Sequence, residues 1–450
     1  MVAAGLGELC RFAAEARLEV LPARAVEWAG LVLVDTLGVI AAGNVRGTAP
    51  VLAGRLAGAG AAEAGATCPG LSGGHEPLKA ALVNGLAGSG LEFDEGNSRV
   101  QGMPAVQIAP AVVAAGETAG VSGAELLAGF IAGYEAAYRI GVAASLRPGL
   151  HPTGSWGVVG AALGAARIRR RRPEELVQIA HIASSYAFTA NLRNSPAGHS
   201  LAETYAGLTG HLGLLADLFY ESGVRADDSG FETTFGRFIS TGLDPALLAP
   251  DPGGEPAITT GYLKPYPTCR YGQPALEALA ALLDLEKVDH REVERLEVAT
   301  FAAAAHSADG PPPNPAALRF SVPYLLAAFL VRGRLDLGVL TPETLELEAV
   351  HDLARKVALT VSPEYEARRP DQSPARVILT LKNGRVLSRE VLDARGGAAR
   401  PLGEAEFRDK FLGLAGPAVG DGRAAEFLTR AAGLAAVPDV RPLLRLLRRP

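Results

Sequence analysis

Leu126-Leu127-Ala128-Gly129-Phe130-Ile131-Ala132-Gly133-Tyr134-Glu135-Ala136-Ala137-Tyr138-Arg139-Ile140 belongs to a stretch, residues 122–145, whose apolar residues recur at three- and four-residue spacing. The apolar positions run nearly all the way round a helical wheel, and Gly or Ala stands where a neighbour would approach closely. Such a helix is buried on most sides. That suits a compact bundle better than a layer lying on a sheet. The same texture runs from the start to about residue 260. It predicts helices over 8–18, 23–42, 49–57, 76–91, 105–117, 122–145, 154–168, 173–188, 201–222 and 228–237, with Gly or Pro at the breaks. No strand, Gly-rich loop and helix follow one another in a nucleotide-binding pattern, so a Rossmann or P-loop reading has little support.

The texture changes after Asp251-Pro252-Gly253-Gly254. Residues 293–301 mix apolar and polar side chains as a strand does. Residues 356–361 and 375–381 alternate more cleanly, and Lys382-Asn383-Gly384-Arg385 supplies an Asn-Gly turn into 386–390, a hairpin signal. Helices over 273–285 and 321–331 interleave with these strands. Helical periodicity returns at 404–414 and 423–448. The expected fold is mainly α: a large all-helical domain formed by both chain ends, residues 1–261 and 403–450, plus a smaller α+β, lid-like domain over 262–402.

The chain has 450 residues, 48% hydrophobic and 20% charged, enough apolar material for more than one core. A net charge of −5 without a concentrated basic stripe argues against a nucleic-acid partner. The arginines at 169–172 and 445–449 read as solvated helix ends. Cys10, Cys68 and Cys269 form neither a CxxC pair nor a zinc spacing. Apolar runs such as Trp28 to Val34 are cut by Asp35 well short of the ~20 residues that cross a bilayer. No basic segment followed by an uninterrupted apolar one opens the sequence. These features predict a soluble, cytoplasmic protein with no membrane partner.

Six residues concentrate acidic and amide groups: Glu92-Phe93-Asp94-Glu95-Gly96-Asn97, just past the apolar segment Ala81-Leu82-Val83-Asn84-Gly85. Carboxylates near a core need partners, so the cluster is either a solvated helix end or the wall of a polar pocket. Glu92 and Asp94 converge only if the helix stops there, which Gly96 permits. His151 sits in a Gly/Pro loop, Gly149 to Gly157, where an imidazole can exchange protons near neutrality or simply be solvated. Thr153 or Ser155 could cap the helix that follows. Lys264-Pro265-Tyr266-Pro267-Thr268-Cys269-Arg270-Tyr271 is an extended connector, and its two cations suit carboxylates. Cys269 lacks an activating environment and reads as structural. Ser321 is placed to cap the helix that carries Tyr324. Ser195 to Ser200 has no Gly-x-Ser-x-Gly elbow, so a serine hydrolase is disfavoured.

Taken in order, several segments resemble the MmgE/PrpD family, which includes 2-methylcitrate dehydratase, cis-aconitate decarboxylase and iminodisuccinate epimerase. They are Val34-Asp35-Thr36-Leu37-Gly38, Leu82-Val83-Asn84-Gly85, Glu92 to Asn97, Gly133-Tyr134-Glu135, His151-Pro152, Tyr205-Ala206-Gly207, Lys264 to Tyr271 and Phe320-Ser321-Val322-Pro323-Tyr324. The resemblance implies a homodimer with its active site between the two domains. It also implies metal-free chemistry on small di- or tricarboxylic acids, without a cofactor: a proton next to a carboxylate is removed, and a neighbouring group is then lost or the proton returned. Carried over by position, Glu92 and Asp94 fall in the acidic motif, and His151, Lys264 and Tyr324 fall on family histidine, lysine and tyrosine positions. The expected catalytic residues are Asp94, His151 as base or acid, Lys264, and Tyr324 as proton donor, with Glu92, Asn97, Arg270 and Ser321 binding the acid. Three positions depart from the family pattern. Met103-Pro104 stands where His-Pro is frequent, Ala202 where a Lys or Arg is common, and Gln273 where relatives often have His.

The expected function is therefore a lyase or isomerase acting by dehydration, decarboxylation or epimerisation. Two alternatives stand beside it. One is a relative that binds a carboxylic acid without turning it over. The other is an Mg²⁺-dependent helical enzyme using Glu92, Asp94 and Glu95, which lacks a second acidic cluster.

Overall fold

The helix of the quoted stretch runs over Gly123–Ala143, started by Ser122, whose side chain accepts the Glu125 backbone N–H. Its glycines decide what packs against it. A Cβ added at Gly133 would lie 2.7 Å from the Gly160 carbonyl oxygen, and one at Gly164 would lie 2.9 Å from Gly129 O. Helices Gly123–Ala143 and Trp156–Ile168 therefore meet backbone to backbone, which only Gly allows. In this computed structural model, residues 1–56, 65–251, 253–306 and 310–450 are described.

Around that pair lie Pro77–Ser89, Pro104–Ala119 and Thr204–Glu221. The chain's end joins its beginning: Glu404–Val419 packs on Ala23–Asn44, and Phe411 covers Gly38 so closely that a Cβ there would sit 2.8 Å from its ring. One continuous apolar core draws side chains from Leu6 through Leu263 and again from Leu402 through Leu447. A second core is built from Ala275 through Val391.

The second core lines a four-stranded sheet: β1 Val293–Thr300, β2 Val357–Val361, β3 Ala375–Leu381 and β4 Val386–Val391, in the order β2-β1-β3-β4. β1 and β2 are parallel and the other pairs antiparallel. The Asn383-Gly384 turn joins β3 to β4 with Thr380 opposite Val386, and Gly384 takes φ +85°. Helices Gln273–Leu285 and Val322–Arg332 supply the other side of this core.

The chain is thus mainly helical with a few small sheets. Several boundaries differ from the sequence reading. The first helix is Val2–Glu15, and the segment expected over 173–188 stops at Ser184. The one expected over 228–237 is a single α turn, Gly230–Thr233, followed by a wider turn through Phe238. The long C-terminal segment splits into Asp421–Ala431 and Val440–Leu444, because Gly433 and Pro438 interrupt it. Pro252 and the end of the helix expected at 49–57 lie outside the described residues. Ala23–Asn44 is long and apolar enough to cross a membrane, yet 78% of its most apolar window is buried within the protein. It packs as a core helix, and its Asp35 is paired with Lys410.

Candidate active site

Helix Pro77–Ser89 delivers the acidic cluster. Glu76 caps its start, accepting the N–H groups of Leu78 and Lys79. Beyond its end Glu92 takes φ +51°, a left-handed conformation unusual for a residue with a side chain. The chain then pairs antiparallel with residue 262: Gly96 N–H donates to Tyr262 O (3.0 Å) and Tyr262 N–H to Gly96 O (2.8 Å). Only Gly fits at 96, since a Cβ would lie 2.4 Å from the Tyr262 hydroxyl oxygen. In that register residue 264 faces residue 94. Lys264 Nζ accordingly donates to Asp94 Oδ1 at 2.9 Å and to Glu92 Oε2 at 3.0 Å.

The electrostatics follow from burial. Lys264 is 1% exposed. Desolvation pulls its pKa down, but Asp94 and then Glu92 outweigh that, and the ammonium is held charged above its usual range. Burial lifts Asp94 to about 6 against the pull of Lys264. It lifts Glu95 further, to about 8, so that this acid is protonated at neutral pH. Glu95 points elsewhere, accepting the Tyr134 hydroxyl (2.6 Å) and the Ala105 N–H (2.9 Å). The three carboxylates thus do not converge on one point. Among the described residues no group of three His, Cys, Asp or Glu is placed to hold a metal ion.

Glu92 and Lys264 line a cavity of about 280 Å³, together with Asn97, His151, Cys269 and Arg270. A smaller chamber of about 40 Å³ shares Glu92, Met103 and His151 with it. His151 is buried, and its Nδ1 accepts the Thr153 backbone N–H at 3.1 Å. Burial depresses the imidazole to about 4, with Glu92 opposing, so the ring is neutral at physiological pH. A neutral ring whose Nδ1 accepts carries its proton on Nε2. His151 therefore offers the cavity an N–H donor, whereas a general base would need a free lone pair there. Arg270 lies 4.0 Å over the Tyr262 ring and donates from Nη2 to Asp393 at 2.7 Å, while its Nε and Nη1 are unpartnered. The Cys269 thiol, raised to about 11 chiefly by burial, stays protonated.

Of the eight residues expected at the site, five line the cavity: Glu92, Asn97, His151, Lys264 and Arg270. Asp94 stands behind them on Lys264. The Asn97 amide is committed to the scaffold, donating to Tyr134 Oη (3.2 Å) and Thr260 Oγ1 (2.9 Å). Tyr324 and Ser321 are not brought to the cavity. Tyr324 packs in the second core with its hydroxyl 3.0 Å from His351 Nδ1, and His351 Nε2 lies 2.6 Å from Leu345 O. Ser321 precedes the helix without capping it, and its buried Oγ has no partner. Phe320 lines the cavity instead. Ser155 likewise makes no cap, its hydroxyl donating back to Pro152 O.

The three departures separate spatially. Met103 lines both chambers and Ala202 the smaller one. Gln273 is fully buried away from them, donating to Tyr266 O, Thr268 O and Thr268 Oγ1, so it clasps the connector that carries Lys264. Sequence reasoning missed Tyr262, His306 and Arg369 on the cavity wall. Only Tyr262, two residues before Lys264, lay close to a recognisable signal.

Comparison with known proteins gives concordant results. Profiles described as the MmgE/PrpD N-terminal domain and the MmgE/PrpD C-terminal domain match residues 7–246 and 266–434. The chain is 25% identical over 410 residues to cis-aconitate decarboxylase of Aspergillus terreus, covering 83% of this chain and 82% of that one. It is 24% identical over 414 residues to the cis-aconitate decarboxylase-like protein oryM of Aspergillus oryzae, covering 83% of each.

Proposed function

Since the chain belongs to the MmgE/PrpD family, we propose that it is a lyase of the dehydratase or decarboxylase type, acting on a small di- or tricarboxylic acid held against Lys264 and Arg270. The observation that carries this reading is the meeting of an ammonium, a guanidinium, a carboxylate and a neutral imidazole N–H around one cavity. The A. terreus relative makes cis-aconitate the first acid to try.

Breaking a bond next to a carboxylate builds negative charge on the substrate, and preorganised donors lower that barrier. In this reading His151 Nε2–H and the Arg270 cation face that charge. Glu92, the carboxylate on the wall beside Lys264, moves the proton. Lys264 holds Glu92 and Asp94 in place and adds its own positive field. The smaller core, 262–402, closes the site as a lid, and the active protein is a homodimer, which sedimentation of the purified chain tests.

The test is turnover. Purified protein is incubated with cis-aconitate, citrate and aspartate-like acids, and products are followed by NMR, with His151→Ala and Glu92→Gln as controls. Turnover that survives both substitutions undiminished removes these roles, and turnover abolished by exhaustive chelation favours the Mg²⁺ reading. A second reading, binding without turnover, is favoured by Met103, which lines the same chambers as His151 and whose thioether has no proton to transfer. Deuterium exchange from solvent into a bound acid separates the two, because a pure binder exchanges nothing.

A further inference from the structure

Behind the cavity lies a second buried ion pair to which the chemistry above gives no part. Lys410 on Glu404–Val419 and Asp35 on Ala23–Asn44 have side chains only 5% and 1% exposed. Lys410 Nζ lies 2.7 Å from Asp35 Oδ1 and 3.0 Å from Oδ2. It also donates to the backbone carbonyl of Phe93 at 3.1 Å and stands 4.3 Å from the centre of the Phe93 ring. Phe93 is the residue between Glu92 and Asp94. Its ring is packed with Val39, Ala42, Leu91 and Leu414, drawn largely from the same two helices.

If the pair served only to join two helices, apolar side chains of similar volume would do so at no greater cost. What they could not do is satisfy and orient a peptide carbonyl in the middle of the acidic loop. That carbonyl fixes the plane of the Phe93–Asp94 peptide. The strained backbone of Glu92 lies immediately before it, and such strain persists only where the surroundings over-determine it.

We propose that Asp35 and Lys410 are positioning residues, which fix the Phe93 carbonyl and thereby hold Glu92 and Asp94 in register with Lys264. The proposal rests on the cavity being the functional site, but one arm of its test does not depend on any substrate. Cys269 lines that cavity, and its thiol senses both Glu92 and Lys264. Cys10 and Cys68 are fully buried. The rate at which iodoacetamide alkylates Cys269 at pH 8.5, located by peptide mass mapping, therefore reports the local arrangement.

The variant is the double substitution Asp35→Asn with Lys410→Met, which removes both charges and keeps the volume. A change of about threefold or more in the Cys269 rate is expected, since the rate follows the thiolate fraction. Leu6→Ala, a truncation in the separate main core, should lower Tm and leave the Cys269 rate unchanged. Asp35→Glu, which keeps the charge but lengthens the anchor by one methylene, should move the rate too, and it serves alone if the double variant does not fold. A Cys269 rate within about 1.5-fold of wild type in the folded variants overturns the proposal. With cis-aconitate as substrate, kcat should fall about tenfold or more with KM within threefold, as expected when reacting geometry rather than binding is lost. A wild-type protein inert toward cis-aconitate would count against that substrate, while the Cys269 rate would still decide the positioning role.

Discussion

Lys264 Nζ lies 2.9 Å from Asp94 Oδ1 although 170 residues separate them, and both side chains are closed off from solvent. The pairing of Gly96 with Tyr262 sets this contact, so the geometry of the site depends on a backbone register between two loops. Two carboxylates on one ammonium leave the cluster with a net negative charge. The cations on the cavity wall that can meet a carboxylate substrate are then Lys264 itself, Arg270 and Arg369.

Removing one member of a buried charge cluster leaves the others uncompensated, which typically costs about 3–5 kcal/mol. Lys264→Met should lose about that much in urea unfolding, because Asp94 is left buried without its partner. Asp94→Asn should lose less, since Lys264 keeps Glu92 at 3.0 Å. Equal losses for the two variants, or a loss under about 1 kcal/mol for Lys264→Met, would show that the ammonium is not the hub of the cluster.

Gly96→Ala tests the register directly. The new methyl would stand 2.4 Å from Tyr262 Oη, so the two loops must separate or the Tyr ring must move. Overpacking of this kind costs about 1–3 kcal/mol. Trimming the obstacle with Tyr262→Leu should recover part of that loss. Two destabilisations that simply add would mean the loops never meet as described.

The helices were legible because their signal is local: apolar periodicity, an Asx or Ser start, a Gly or Pro stop. The same holds for the Asn383-Gly384 hairpin and for the acidic cluster, where three carboxylates after an apolar helix demand partners. What could not be read is which way a side chain points once two elements meet. Phe320, Ser321 and Tyr324 are neighbours at one helix start, yet only Phe320 reaches the cavity, because the helix turns Tyr324 into the second core beside His351. Gln273 stands where relatives often have His, and in this fold it ties down a loop. His306 and Arg369 carry no local pattern at all, and only the assembled fold brings them to the wall.

Tyr324→Phe separates the family expectation from the observed geometry. The phenol is committed to His351, so its loss should cost about 1 kcal/mol of stability. It should leave kcat within about twofold on any acid that is turned over. A fall of about a hundredfold in kcat, with stability little changed, would mean that the hydroxyl reaches the reacting atoms during turnover and that the second core moves to deliver it.

His151 makes the sharpest pH prediction. Burial depresses its imidazole from 6.5 to about 4, a difference worth about 3 kcal/mol. Below pH 6.5 the unfolded chain takes up a proton that the folded chain refuses. The unfolded state then binds more protons, and stability drops as pH falls from 6.5 toward 4. Glu95, lifted to about 8, acts in the opposite sense and loses stability as pH rises toward 8, so the two must be separated by substitution. His151→Asn keeps an acceptor for the Thr153 N–H and cannot titrate. The stability difference between wild type and this variant, from urea melts at each pH, should shrink by about 3 kcal/mol between pH 7.5 and 4. A difference that stays constant across that range would mean that His151 takes up its proton at the same pH folded and unfolded, as a solvated imidazole does, and the buried ring held neutral down to about pH 4 would have to be abandoned.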